Sequence, residues 1–151
     1  MPMNTDRIEQ TLILRAPRTR VWRALTNATE FGAWFNCELV GGFTPGACIQ
    51  GRITISGYEH VAMELAIEQI VPERLFSYRW HPYAVEPGID YSTEPTTLVE
   101  FHIAEIAGGT KVTVVESGFD HLPPARRTEA FRMNEQGWAG QLTNIERYVT
   151  A

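Results

Sequence analysis

Phe131-Arg-Met-Asn-Glu-Gln-Gly-Trp138-Ala-Gly-Gln-Leu142-Thr-Asn-Ile145-Glu-Arg-Tyr-Val149 is the stretch on which the fold turns. Phe131, Trp138, Leu142, Ile145 and Val149 stand at i, i+7, i+11, i+14 and i+18, so a 3.6-residue period puts them on one face of a helix. The helix is expected over about Ala125–Thr150, with fraying ends. It is the only long helix the sequence offers, and it comes last. Gly137 and Gly140 lie inside it, each costing about 1 kcal/mol relative to Ala. They point to a close backbone approach or to space left beside Trp138.

Upstream of that helix most of the pattern has period two. Ile8–Leu14 alternates as a half-buried strand, and so do Ile49–Ile55, closed by Gly57, and Leu75–Trp80, with Phe76, Tyr78 and Trp80 on one side. Val61–Val71 contains helix-favouring Met, Glu, Leu and Ala, yet Met63, Leu65 and Ile67 alternate with polar or small neighbours, which makes it a strand. Gly41-Gly42 with Pro45-Gly46, and Pro72-Glu73-Arg74, mark turns. Thr97–Ile106 and Thr110–Ser117 form a hairpin about Ala107-Gly108-Gly109. Two short helices follow the first strand. One has Pro17 in its first turn and Val21, Trp22 and Leu25 on its face. The other opens with the capping box Asn27-Ala-Thr-Glu30 and carries Phe31, Trp34 and Phe35, with Phe31 packing it onto the sheet edge. Residues 81–95 form a long Pro- and Gly-containing loop, a length associated with function or motion.

An antiparallel sheet with one apolar face needs a cover, and the last helix supplies it. The expected fold is therefore α+β, a helix grip: a curved antiparallel sheet of about six or seven strands wrapped around a long C-terminal helix, with two short helices after the first strand. A chain of 151 residues suits a single domain over 1–151. The net charge of −5 argues against nucleic acid as a partner. No apolar stretch reaches membrane-spanning length and Met1–Gln10 is polar, so no integral membrane association, no leader and a cytoplasmic location are expected. Cys37 and Cys48 are expected as reduced, partly buried thiols.

Strand parity selects the residues that face the helix. Val112 and Val114 share a side that ends in Glu116. Val99, Phe101 and Ile103 share the apolar side of the neighbouring strand, whose other side, Leu98, Glu100, His102 and Ala104, is the wetter one. Glu116 is thus the inward carboxylate. It either orients a polar part of a ligand or sits at the strand end in a rim salt bridge to an arginine. Trp34, Phe35, Tyr78, Trp80 and Trp138 are the aromatic candidates, for pocket walls or for plain core packing. His60, His81, His102 and His121 show no paired-ligand spacing, so no metal site is expected. No nucleophile elbow, P-loop or dinucleotide fingerprint is present, and neither a cofactor nor a catalytic residue is assigned.

Val21-Trp22-Arg23-Ala24-Leu25-Thr26, Trp34-Phe35, Pro72-Glu73-Arg74-Leu75 with Trp80, Gly109-Thr110-Lys111-Val112, Glu116-Ser117-Gly118-Phe119 and Gly137-Trp138 together resemble a family pattern. It is that of bacterial proteins homologous to the C-terminal domain of the activator of heat-shock protein 90 ATPase. These belong to the START-like (SRPBCC) helix-grip superfamily, with the birch pollen allergen and polyketide cyclases. The resemblance implies the same fold and leaves three functions open. The first is binding of a hydrophobic or amphipathic small molecule, lipid- or polyketide-like, between sheet and helix. The second is a cyclase or hydrolase using Glu116 and Tyr78. The third is a chaperone-related module with a protein partner.

Overall fold

A computed structural model of the chain describes residues 6–82, 90–91 and 93–150. Seven strands form one antiparallel sheet: β1 (Arg7–Leu14), β2 (Cys37–Val40), β3 (Cys48–Ile53), β4 (Ala62–Val71), β5 (Leu75–Trp80), β6 (Thr97–Ile106) and β7 (Gly109–Ser117). Helices α1 (Arg18–Thr26) and α2 (Ala28–Phe35) follow β1, and α3 (Pro124–Thr150) ends the chain after a 3₁₀ turn at Phe119–His121. The strand order is β1-β7-β6-β5-β4-β3-β2. The long β1–β2 connection carries the two short helices, and from β3 onward every strand pairs with its predecessor in the chain. The curved sheet and long terminal helix make the helix grip expected from the element order.

Parity holds along most of β6 and β7; Val115 and Ser77, which flank Glu100 on the other face, are buried as exceptions to it. Val99, Phe101, Ile103, Val112, Val114 and Glu116 are buried, while His102 and Ala104 are exposed. On α3 the buried stripe is Ala130, Asn134, Trp138, Leu142, Ile145 and Val149. Burial of such a face, rather than helix propensity, stabilises a helix of this kind. Phe131 lies at the margin of the stripe, packed on Phe119 at 5.2 Å between ring centroids.

Several local expectations are corrected. Strand β3 ends at Ile53, and Ile55 is exposed, because the chain turns there: the Ile55 carbonyl accepts the Tyr58 N–H at 2.9 Å, with Gly57 at a φ of 92°. Asn27 caps α2 by accepting from the Glu30 N–H at 3.0 Å, but Glu30 does not reach back. The Asn27 N–H donates to the Arg23 carbonyl, and the Glu30 carboxylate takes Arg20 at 2.6 Å, Arg23 at 2.8 Å and the Tyr148 hydroxyl at 3.1 Å. It ties α1, α2 and α3 together. Burial alone would raise the Glu30 carboxyl; hydrogen bonds from Arg20 and Tyr148 and the charges of Arg23 and Arg20 reverse that, and it lies below its ordinary value. Phe31 is fully buried in the core rather than at the sheet edge, against Phe35 at 5.1 Å and Phe43 at 5.7 Å. Gly137 and Gly140 are exposed, and a Cβ on either would meet nothing within 4 Å, so they leave no space beside Trp138.

Candidate functional site

Glu116 is one residue from the end of β7, yet it is fully buried. Two registers place its partners. Val99 of β6 pairs with Glu116, and Trp80 of β5 pairs with Thr97 of β6, so both Trp80 and Thr97 arrive beside the carboxylate. Asn134 and Trp138, one turn apart on α3, descend from the helix side. Trp80 Nε1 donates to Glu116 Oε2 at 2.7 Å and Thr97 Oγ1 to the same oxygen at 2.5 Å. Trp138 Nε1 donates to Oε1 at 2.7 Å, and Asn134 Nδ2 spans both oxygens at 3.1 Å. Two strands and the long helix therefore close on one carboxyl group. The rim salt bridge to an arginine is not formed, since β7 carries Glu116 inward on the same parity as Val112 and Val114.

All four partners are neutral, and the indole N–H groups can only donate. The carboxylate thus has its lone pairs filled without a counter-ion. Burial pushes the Glu116 carboxyl up from its ordinary value, while the bonds from Thr97, Trp80, Trp138 and Asn134 pull it back without cancelling the rise. Among the described residues Glu116 is the one fully buried charged side chain.

Around this node the aromatic candidates meet. Trp80 lies 5.7 Å from Trp138, 5.6 Å from Tyr78 and 6.0 Å from Phe35, ring centre to ring centre. Phe35 lies 6.2 Å from Trp138 and 5.7 Å from Trp34. The six residues singled out from the sequence, Trp34, Phe35, Tyr78, Trp80, Glu116 and Trp138, are brought into one cluster. Trp34 takes a structural part in it: its Nε1 donates to the Ala24 carbonyl at 2.8 Å, joining α2 to α1. Phe76 and Phe101 extend the cluster behind Tyr78, Phe101 lying 5.6 Å from Trp138.

Tyr78 differs from its neighbours. Its side chain is fully enclosed, and its hydroxyl has no hydrogen-bond partner among the described residues. Burial drives the phenol well above its ordinary value, and Glu116 and Cys37, both within electrostatic reach, push the same way. It is a fixed neutral donor with nothing to donate to, and such a group costs roughly 1–3 kcal/mol.

Sequence reasoning missed Asn134 and Thr97. Both carried a signal: Asn134 is a polar residue at a stripe position four before Trp138, and Thr97 shares the parity of Val99, Phe101 and Ile103. The two thiols separate. Cys37 is buried, which raises it to about 12, and Cys48 is exposed. His102 stands 3.6 Å from Glu100 on the outer sheet face, as expected of a solvated surface pair.

Of the expected 81–95 loop, residues 83–89 and 92 lie outside the described residues. In the remainder, Tyr91 is buried, His81 Nε2 lies 3.2 Å from the Glu94 carbonyl, and Glu94 takes a two-pronged ion pair from Arg126 in the first turns of α3. Arg126 also stacks on Tyr91, 5.4 Å from the ring centre. Among the described residues no helix is long and apolar enough to cross a membrane.

The architecture recurs in solved structures. The Mesorhizobium loti protein MLL2253 is 18% identical, with 95% of this chain and 96% of that one aligned at a TM-score of 0.76. The Aha1 dimer from Colwellia psychrerythraea is 15% identical, with 95% of each chain aligned and a TM-score of 0.72. DynU16, from the dynemicin biosynthetic locus, is 20% identical at a TM-score of 0.73; 97% of this chain aligns, and it spans about half of DynU16, 48%. At these identities the likeness is one of fold. No curated protein matches the chain. The family described as activator of Hsp90 ATPase homolog 1-like protein matches residues 15–150, nearly the whole chain, and the chain belongs to that family.

Proposed function

We propose that the protein binds a hydrophobic or amphipathic small molecule between the sheet and α3. The observation that carries this reading is the unpartnered hydroxyl of Tyr78 inside an aromatic enclosure. Ligand sites combine apolar walls with a few placed polar groups, and a buried donor left unpaired is an energetic vacancy that an acceptor fills. Of the six candidate residues Trp80 alone, at the end of β5, is only half-buried, which makes it the proposed point of ligand entry.

A cyclase or hydrolase mechanism fits less well. A general base needs a free lone pair aimed at substrate, and both oxygens of Glu116 are occupied by protein donors. The chaperone-related alternative requires a docking surface for a protein partner, which the enclosed cluster does not supply.

The test is an amide- and indole-resolved NMR titration against fatty acids, sterols, flavonoids and polyketides. Saturable shifts gathered at Tyr78, Trp80, Glu116 and Trp138 support the reading. An unchanged spectrum at those four positions across the whole panel refutes it.

A further inference from the structure

Inside this cluster binding and support are separate tasks, and different residues hold them. The Glu116 carboxylate is the obvious polar feature, but it is saturated: two indoles, a hydroxyl and an amide fill both of its oxygens. It joins β5, β6 and β7 to α3, and has no capacity left for a ligand. The Tyr78 hydroxyl is the reverse case, enclosed and without a partner. It lies within electrostatic reach of Glu116, which favours keeping its proton, so it acts as a donor.

The interior is also one-sided in charge. Among the described residues the only fully buried charged group is acidic, and the buried polar side chains are Ser77, Thr97, Thr110, Glu116 and Asn134. Arg126 is occupied by Glu94 and stacked on Tyr91, and Arg127, whose Nε is buried without a partner among the described residues, is only partly buried and donates through Nη2 to the Leu122 carbonyl at 3.0 Å. A carboxylate brought beside Tyr78 would lose its hydration, gain one hydroxyl donor and meet Glu116, and among the described residues no fully buried cation offsets it. Burying a charge on those terms is strongly unfavourable. A ketone, ester or lactone carbonyl gains the same hydroxyl donor and carries no charge to desolvate.

Taking the binding reading above as its premise, we propose that the site selects neutral carbonyl compounds over carboxylates, with the Tyr78 hydroxyl donating to the ligand carbonyl. Fatty acids and other anions are excluded as interior ligands, and the specificity-determining residue is Tyr78 rather than Glu116.

Two size-matched pairs of probes test this by titration calorimetry at pH 7: benzylideneacetone against cinnamate, and methyl laurate against laurate. trans-β-Methylstyrene serves as an aromatic probe with no acceptor. The neutral member of each pair is expected to bind at least about 30-fold more tightly than the anion, the discrimination that one uncompensated charge gives at an intermediate effective dielectric. Tyr78→Phe should weaken benzylideneacetone about 2- to 12-fold, the range for one neutral hydrogen bond, and leave methylstyrene unchanged. Anions binding as tightly as their neutral partners overturn the inference and leave the binding reading standing. So does Tyr78→Phe weakening methylstyrene as much as the ketone. No heat and no indole shift from any of the five probes overturns the inference as well, and the binding reading falls with it only when the wider panel of sterols, flavonoids and polyketides is also silent.

Discussion

Replacing Glu116 tests whether the buried carboxylate holds the helix to the sheet. In Glu116→Gln one acceptor oxygen remains. If it keeps the Trp138 and Asn134 bonds, the new amide nitrogen faces the Trp80 N–H, which cannot turn into an acceptor; Thr97 can rotate and accept. One donor is orphaned, and the remaining bonds lose their charge assistance, while the cost of burying a carboxylate disappears. At about 1–3 kcal/mol for an orphaned donor the net loss is about 2 kcal/mol. For a chain of this length that is a Tm lower by about 4–8 °C. Glu116→Leu orphans Trp80, Trp138 and Asn134 at once, and even after relief of desolvation should cost about 3 kcal/mol, or about 6–12 °C. The assay is urea and thermal unfolding followed by far-UV circular dichroism, with the expected order wild type, Gln, Leu. A cycle with Trp138→Phe isolates the geometry: in the Leu background the missing indole N–H no longer lacks a partner, so the two losses should fall short of additive by about 1–2 kcal/mol. A Leu variant as stable as wild type would refute the reasoning. It would mean that desolvation of Glu116 outweighs its four donors, as happens for some buried ionic groups.

Four further outcomes follow from the same geometry. Because the Glu116 carboxyl is raised in the fold, the folded state binds the proton more tightly there; the group's contribution to stability is greatest below its ordinary value of 4.5 and declines as pH rises through the raised one, so the wild-type advantage over Glu116→Gln should shrink across that window in urea midpoints. Glu30 has the opposite sign: lowered in the fold, it contributes above 4.5 and loses that contribution as pH falls, so Glu30→Gln should be less stable than wild type at pH 7 and converge with it in acid. Gly137→Ala and Gly140→Ala, at exposed positions where a Cβ meets nothing, should each raise stability by up to about 1 kcal/mol, read as about 2–4 °C in Tm. A thiol reagent should titrate Cys48 alone in the native protein at pH 8, and Cys37 only after denaturation, because burial holds the latter thiol near 12.

The sheet was legible because its constraint is local. Period-two alternation in Met63-Leu65-Ile67, Val99-Phe101-Ile103 and Val112-Val114-Glu116 assigns a side to every residue, and the same parity that buries two valines buries Glu116. The edges were less legible. Where β3 ends depends on the turn that the Tyr58 N–H closes onto the Ile55 carbonyl, a contact that periodicity does not reveal. Glu30 was misjudged for a related reason: a capping box is a local competitor, and Arg20, Arg23 and Tyr148, brought in by helix packing, outbid the Asn27 N–H for its carboxylate.

The site shows the same division. Its six named residues could be found because aromatic side chains on an inward parity must meet when a helix covers the sheet. What parity could not supply was the distribution of hydrogen bonds, because that depends on register. Trp80 opposite Thr97 and Val99 opposite Glu116 are facts of pairing between strands, and Asn134 reaches the same point only because α3 crosses there. Once those bonds are counted, the roles of the two polar side chains reverse. The carboxylate that stands out in the sequence is fully employed by the protein, and the tyrosine, which reads as one more wall residue, keeps the one unspent donor among the cluster's side chains. A group already holding four protein partners has nothing to offer an incoming molecule, so selectivity has to come from the hydroxyl that holds none.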